Sequence, residues 1–473
     1  MKHACSPIAR VWRRREGGVN SRLFTTPAVD SPYPNPLGQL DAIAMRTLRL
    51  DLAASVFAGA TEAVLQMGPA LAKKGFDATG MQVALLTCGQ SLGLILSFFV
   101  AHLAAHSRKM PLVFWPEALR CLVLVAVFFL DPSFVVWFVV LHAAAQMFHN
   151  MPLPARVTIY RLNYPSELRG GIVGRNRRVV FLVAAIVSIV MSGVLDGWID
   201  LGSLYGALGV TRETTGRLVP SVVAAVGLLG IVGTGLFALA PVREPPRALE
   251  APRQSYAGTL RAFVRVWLED KEFRRYENFF FIFGFANIMT IPLTQLHAVD
   301  VLHASYFDLA MINVAVMQVL MALTMGWWGK LVDRYSPSRL RGFINVIFSI
   351  DFLALAIAPT VEWLYVGRAF RGIALGGGTL IWMLGALYYA RTPEKVPIYL
   401  GVHTVLTGVR WAVAPVVGVW AQSWFGGSSR PVFFIVFVVV LFTALLMIRS
   451  SRHEEPRTTP EGPPMPAPRM TGA

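Results

Sequence analysis

Charged and titratable side chains set inside long apolar runs are the residues of this chain with chemistry open to them. Glu62, Asp351, Arg368, Arg371 and Arg410 each interrupt a stretch long enough to cross a bilayer. One such charge costs about 2.5–3.5 kcal/mol at a bilayer centre unless it is paired or hydrated. Counting a rise of about 1.5 Å per residue, Glu62, Arg368 and Arg410 lie roughly 10 Å below one membrane face, and Arg371 and Asp351 about 15 Å. Arg368 and Arg371, three residues apart, share a helix face. Guanidinium groups pair bidentately with carboxylate and phosphate, so these arginines suit an anionic or carboxylate-bearing solute. Arg371 has a second reading, an ion pair with Asp351 that only locks two helices together. His142, Gln146 and His149 form one helical stripe, and Asn287, Thr290 and Thr294 another. Such stripes either line a hydrated solute path or make interhelical hydrogen bonds. Either histidine can titrate near neutral pH and so join a proton relay with Glu62.

The elements that must position these residues follow from hydropathy. The 473 residues are 55% hydrophobic and 15% charged, with a mean hydropathy of +0.54, which describes a polytopic membrane protein. Twelve apolar windows stand near 48–70, 79–104, 111–131, 132–153, 178–198, 218–241, 276–297, 302–328, 342–360, 361–388, 397–421 and 430–449. Twelve crossings place both termini on one side. Arginine and lysine concentrate after window four (Arg156 to Arg178) and in the central connection (Arg243 to Arg275), so these and both termini are expected in the cytoplasm. Residues 1–44 and 451–473 read as disordered cytoplasmic tails, and 242–275 as a cytoplasmic loop. Within that loop, Leu260 to Leu268 has the pattern of an amphipathic helix lying on the membrane surface.

Between windows eight and nine lies a short charged tract with Gly329, Asp333 and Arg334, followed by Arg339 and Arg341. It resembles the cytoplasmic loop signature of the major facilitator superfamily of secondary transporters. The departure is at Ser336 and Pro337, where the family has a glycine and the first basic residue. A repeat supports the resemblance. Windows one and seven start 228 residues apart, and the same offset carries Ala101 onto Gly329. The resemblance covers roughly 45–450 and implies an all-α membrane protein, two pseudo-symmetric bundles of six helices at 45–241 and 276–450. It also implies that spans one, four, seven and ten line a central cavity, which brings Glu62, Arg368 and Arg371 forward. The family role of the loop aspartate, capping a neighbouring helix start, falls to Asp333, with Arg334 as its charge partner and the helix near Pro397 as the start it meets. Ala105 holds the matching place in the first half and cannot do this.

The expected function is secondary active transport of a small solute by alternating access, proton-coupled through Glu62 with His142 or His149, and with Arg368, Arg371, Arg410, Asn287, Thr290 and Gln146 binding the solute. A lone buried acid also suits a proton-driven exporter of drugs or cationic compounds, although Ala184 to Gly197 lacks the exporters' glycine–proline signature. A non-transporting receptor on the same fold is the third reading. An enzyme is excluded for want of a phosphate loop, a His-Glu-x-x-His pair or a dinucleotide motif. Gly376-Gly377-Gly378 reads as close helix packing. Cys5, Cys88 and Cys121 have no ligand spacing, so neither disulfide, metal nor cofactor is expected. The net charge of +16 sits in short tracts between apolar runs, not along one amphipathic face, so positive cytoplasmic loops of a chain in the lipid bilayer explain it and no nucleic acid is expected. A monomer is expected, and the excess of arginine over lysine points to a bacterial cytoplasmic membrane.

Overall fold

The computed structural model describes residues 40–131, 133–199, 218–244, 256–332, 334–390 and 395–451. Asp333 and most of both terminal extensions lie outside the described residues. The N-terminal half comprises α1 (Ala42–Gly75), α2 (Gly80–His106), α3 (Lys109–Ala126), α4 (Val135–Asn150), α5 (Leu153–Asn163), α6 (Ser166–Leu195) and α7 (Leu218–Ala238). A linker helix, α8 (Tyr256–Glu269), precedes α9 (Lys271–Leu296), α10 (Tyr306–Val332), α11 (Pro337–Ile357), α12 (Val361–Tyr389), α13 (Val396–Ser423) and α14 (Arg430–Ser450). No strand occurs among the described residues.

Local chemistry sets the helix limits. Asp41 caps α1 by accepting from the Ala44 amide at 2.9 Å, so the helix starts ahead of its apolar core. Thr79 and Gln82 form a reciprocal capping box at the start of α2. Met151 and Pro152 break the fourth span from α5. The basic stretch expected as a loop after span four is largely helical, because α6 begins at Ser166, well ahead of its apolar window.

Among the described residues, nine helices are long and apolar enough to cross a membrane by length and composition. The other three spans are α1, α4 and α12. α4, with the His142–His149 stripe, is only 16 residues long, and charged residues interrupt the other two, Asp51 and Glu62 in α1 and Arg368 and Arg371 in α12. Outward-facing Leu92, Phe99, Ile186, Leu229, Leu323 and Phe442 are exposed, an arrangement suited to lipid and not to water.

The two halves repeat each other's packing. In the first, α1 packs on α6 and α7, α2 on α4, and α3 on α7 and α4; in the second, α9 packs on α13 and α14, α10 on α12, and α11 on α14 and α12. The halves then meet through α2 with α13 and α6 with α10, contacts that a two-fold axis interchanges. Ser91 donates to the Gly408 carbonyl at 2.8 Å in the first seam, and Val180 and Phe181 pack against Met321 and Met325 in the second. In α12, side chains at Gly376 and Gly377 would collide with Thr324 and Trp328 of its neighbour α10, so the glycine run serves packing.

The linker helix α8 is amphipathic in two senses. Phe263 is buried against Phe98 of α2 and fits over Gly401 of α13, whereas Leu260, Val264 and Leu268 form an exposed apolar stripe. Docking on the bundle therefore fixes the helix and leaves the stripe facing outward.

At the end opposite this linker, here the far end, the halves are tied together. Lys73 of α1 pairs with Asp300 at 3.0 Å, and Lys74 donates to the Ala304 carbonyl at 2.6 Å. Asp196, just past α6, accepts from the Tyr306 and Phe307 amides at 3.0 and 2.7 Å, capping α10 from the other half. The Trp198 and Phe307 rings close over it with centroids 5.0 Å apart.

Candidate functional site: the cavity between the halves

A cavity of about 310 Å³ lies where the halves face each other. The N-terminal wall presents Glu62 and Gln66 from α1, Thr87 and Gln90 from α2, and Gln146, His149 and Asn150 from α4. The C-terminal wall presents Thr290 and Thr294 from α9, Asn313 from α10, Arg368 and Arg371 from α12 and Trp411 from α13. Helical spacing explains each group: 62 and 66, 146, 149 and 150, 290 and 294, and 368 and 371 are each three or four residues apart. Asn313 reaches the cavity from a π-helical turn, Met311–Ala315, and trades amide hydrogen bonds of 2.7 and 3.0 Å with Gln295.

Charge is distributed unequally over the two walls. Arg371 donates to Asp351 Oδ2 at 3.0 Å, and Arg368 Nε stands 3.4 Å from Asp351 Oδ1, while Arg368 Nη2 donates to Thr294 at 3.3 Å. Two guanidiniums thus share one buried carboxylate. Across the cavity, His149 Nε2 lies 3.4 Å from Glu62 Oε2, and its Nδ1 faces Arg120 Nη1 at 3.5 Å. Guanidinium only donates, so that contact leaves Nδ1 as the acceptor and puts the imidazole proton on Nε2, facing Glu62. Glu62 also accepts from Gln66 at 2.7 Å.

The sequence-based candidates divide. Glu62, His149, Gln146, Thr290, Arg368 and Arg371 line the cavity; His142, Asn287 and Arg410 do not. His142 is buried, with Nε2 3.2 Å from the Leu65 carbonyl, which also accepts from Gln146 at 2.9 Å. That carbonyl needs partners because its helical donor would be residue 69, and Pro69 has no N–H. Gly68 makes the room: a Cβ there would sit 2.0 Å from the His142 ring nitrogen. Asn287 instead lends its carbonyl to Thr290. Arg410 stands thirteen residues before the end of α13, about 20 Å along the helix rather than 10 Å. It donates to the Phe280 carbonyl at 2.5 Å and to Thr407 at 2.7 Å, inside the C-terminal half.

The loop motif divides as well. Arg334 and Arg339 are exposed, and nothing crowds Gly329. Arg341 is not a loop residue: it lies in α11, buried between the Phe280 and Phe283 rings, because α11 starts at Pro337 under a Ser336 cap. A capping role for Asp333 falls on a residue outside the described ones. Sequence reasoning missed Gln66, Gln90, Asn150, Asn313 and Trp411. For Gln66 and Asn150 the signal was present, each being four residues beyond a polar residue already singled out.

The comparisons bear on this architecture. Residues 278–471 match the family model of the Major Facilitator Superfamily. That match covers the C-terminal half, and the fold of the whole chain is the one that superfamily has. Among solved superfamily structures, it resembles a bacterial homolog of the human lysosomal transporter Spinster in an inward-facing, unoccupied conformation, with TM-score 0.64 and 15% identity over 87% of this chain and 98% of that one. The nucleoside transporter NupG follows with TM-score 0.61 and 14% identity, covering 86% and 99% of the two chains. A D-xylose–proton symporter gives TM-score 0.58 and 14% identity, covering 85% and 96%. At these identities the likeness establishes the superfamily fold alone. In sequence, 91 residues are 30% identical to the MFS-type transporter pgmG of Aspergillus terreus, spanning 19% of this chain and 15% of that relative.

Proposed function

We propose that this facilitator-superfamily chain is a secondary transporter that carries a small anionic or carboxylate-bearing solute together with a proton by rocking its two halves about the central cavity. The observation that carries this reading is the charge balance of the cavity. Arg368 and Arg371 contribute two positive charges, and Asp351 and Glu62 two negative ones, with His149 neutral while it accepts from Arg120. The ionised cavity is therefore neutral. Protonating Glu62 leaves one net positive charge, and a bound monoanion restores neutrality. Proton and anion then each favour the other's binding, as reciprocal coupling requires. The solute carboxylate is bound by the Arg368–Arg371 face, in competition with Asp351.

The far-end contacts make the gate. Lys73–Asp300 and the Asp196 cap on α10 close that end, and solute exchange there requires both to part. The arginine distribution supports a cytoplasmic linker helix and cytoplasmic termini, which makes the far end the external one. A second reading comes from the wall amides Gln66, Gln90, Gln146, Asn150 and Asn313 with Trp411, which suit a neutral hydroxylated solute.

Ligand-induced stabilisation of the purified chain separates the readings, because a binder raises apparent stability with occupancy. Small carboxylates and neutral polyols are screened at acid and alkaline pH. Carboxylates should stabilise more in acid, and Arg368→Ala or Arg371→Ala should weaken them by about 1.5–3 kcal/mol, one charge-assisted contact. Stabilisation by polyols alone, unaffected by either arginine, refutes the anionic assignment.

A further inference from the structure

Glu62 and His149 line a second space as well. Inside the N-terminal half, a chamber of about 60 Å³ is enclosed by α1, α3, α4, α5, α6 and α7. That volume holds about four to six waters at 10–15 Å³ each. At its inner end stands the Glu62–His149 pair; at its outer end stand Asp51 and the exposed Arg177. Asp51 and Glu62 are eleven residues apart on α1, which is about 16 Å along the helix axis.

The groups facing these acids come from every surrounding helix except α7, which offers Thr234 and glycines. Glu117 of α3 holds Arg120 at 2.7 Å and Arg156 of α5 at 3.1 Å. Asp51 accepts from Tyr160 of α5 at 3.3 Å and from Asn176 of α6. Three carboxylates, Asp51, Glu62 and Glu117, thus balance three guanidiniums, Arg120, Arg156 and Arg177, and the chamber carries no net charge that repels a proton. Arg120 Nε, Arg156 Nε and Asn176 Oδ1 are buried with no protein partner. Buried polar atoms of this kind are commonly met by ordered water, and the three residues that carry them line this space.

We propose that this chamber is a water-filled proton inlet, joining solvent at the linker end to the Glu62–His149 pair without passing through the solute cavity. The proposal rests on Glu62 being the coupling group. The transfer is a relay of water. A hydronium ion formed beside Arg177 passes its excess proton along the chamber waters, and the last water gives a proton to the Glu62 carboxylate, leaving a carboxylic acid and neutral waters. Glu117 takes no part in the transfer; it stays ionised between its two arginines and holds the wall. Such an inlet lets Glu62 load or unload while solute fills the central cavity, which a single shared path does not.

The test needs no solute. The full chain in lipid nanodiscs is switched from alkaline to acid pH, and the infrared carboxyl band that Glu62→Gln removes is followed in time. Met317 of α10 lines the solute cavity, and Met317→Trp, which fills it, should leave the rise of that band at the wild-type rate. Ala54 and Ala58 of α1 line the chamber, and adding Ala54→Leu, which fills it, should slow the rise about tenfold, since relay depends on an unbroken chain of hydrogen-bonded water. Ala58→Leu fills the same chamber and serves if Ala54→Leu does not fold. Loss of the response in Met317→Trp alone, or an unchanged rate in the chamber-filled variants, overturns the inlet. If Glu62→Gln removes no pH-dependent band, the coupling assignment itself fails, and the inlet with it.

Discussion

Removing the Asp196 carboxylate should release the far end of the protein. Asp196 accepts two backbone hydrogen bonds, from Tyr306 at 3.0 Å and Phe307 at 2.7 Å, across the boundary between the halves. A charge-assisted hydrogen bond contributes about 1.5–3 kcal/mol, and a negative charge at a helix start about 0.3–1 kcal/mol. Asp196 is half-buried, so water recovers part of this when the contact parts. A net loss of about 2 kcal/mol is then expected for Asp196→Ala, and with tenfold per 1.4 kcal/mol it shifts the closed-to-open ratio about 30-fold. Lys73–Asp300 and Lys74 with the Ala304 carbonyl remain, so the closed form persists as a smaller fraction. The assay is maleimide labelling of Gln90→Cys, a cavity residue, in a background with Cys5, Cys88 and Cys121 replaced by serine. A membrane-impermeant reagent supplied at the far end should react about 30-fold faster in Asp196→Ala, in proportion to the open fraction. Asp196→Asn, which keeps an acceptor but loses the charge, should fall between. Labelling of Asp196→Ala at the parental rate refutes the gate.

Other expectations follow from the same geometry. Asp351→Ala leaves Arg368 and Arg371 buried without their shared carboxylate and should cost about 3–5 kcal/mol in thermal unfolding of the purified chain; a melting point equal to the parent's contradicts that pairing. Gly68→Ala drives a methyl group into the His142 ring and should destabilise by about 1–3 kcal/mol, measured the same way. Glu62→Gln should abolish pH-driven solute accumulation in proteoliposomes while solute exchange continues, and full accumulation in that variant moves the proton carrier elsewhere.

Hydropathy and charge placement alone carried much of this architecture. A bilayer demands about 20 apolar residues per crossing, so the spans stand out locally, and the repeated register of windows implies two similar halves. A charge within such a window must face protein or water, and the resemblance, which implies that spans one and ten line a cavity, pointed to Glu62, Arg368 and Arg371 among them. Rotation and contact between helices decided the rest. His142 and His149 lie seven residues apart on one stripe, yet only His149 meets Glu62; His142 is held by a carbonyl that Pro69, on another helix, left without a donor. Arg410 and Arg341 resemble cavity and loop charges in sequence, but aromatic rings from α9 enclose both inside the C-terminal half. The pairing of Asp196 with the start of α10 spans 110 residues and two halves, and no local pattern marks it. Apolar length is a property of one segment and can be read from that segment. What a polar side chain does in a membrane depends on which donor, acceptor or ring the neighbouring helix brings to it, and only the packed helices settle that.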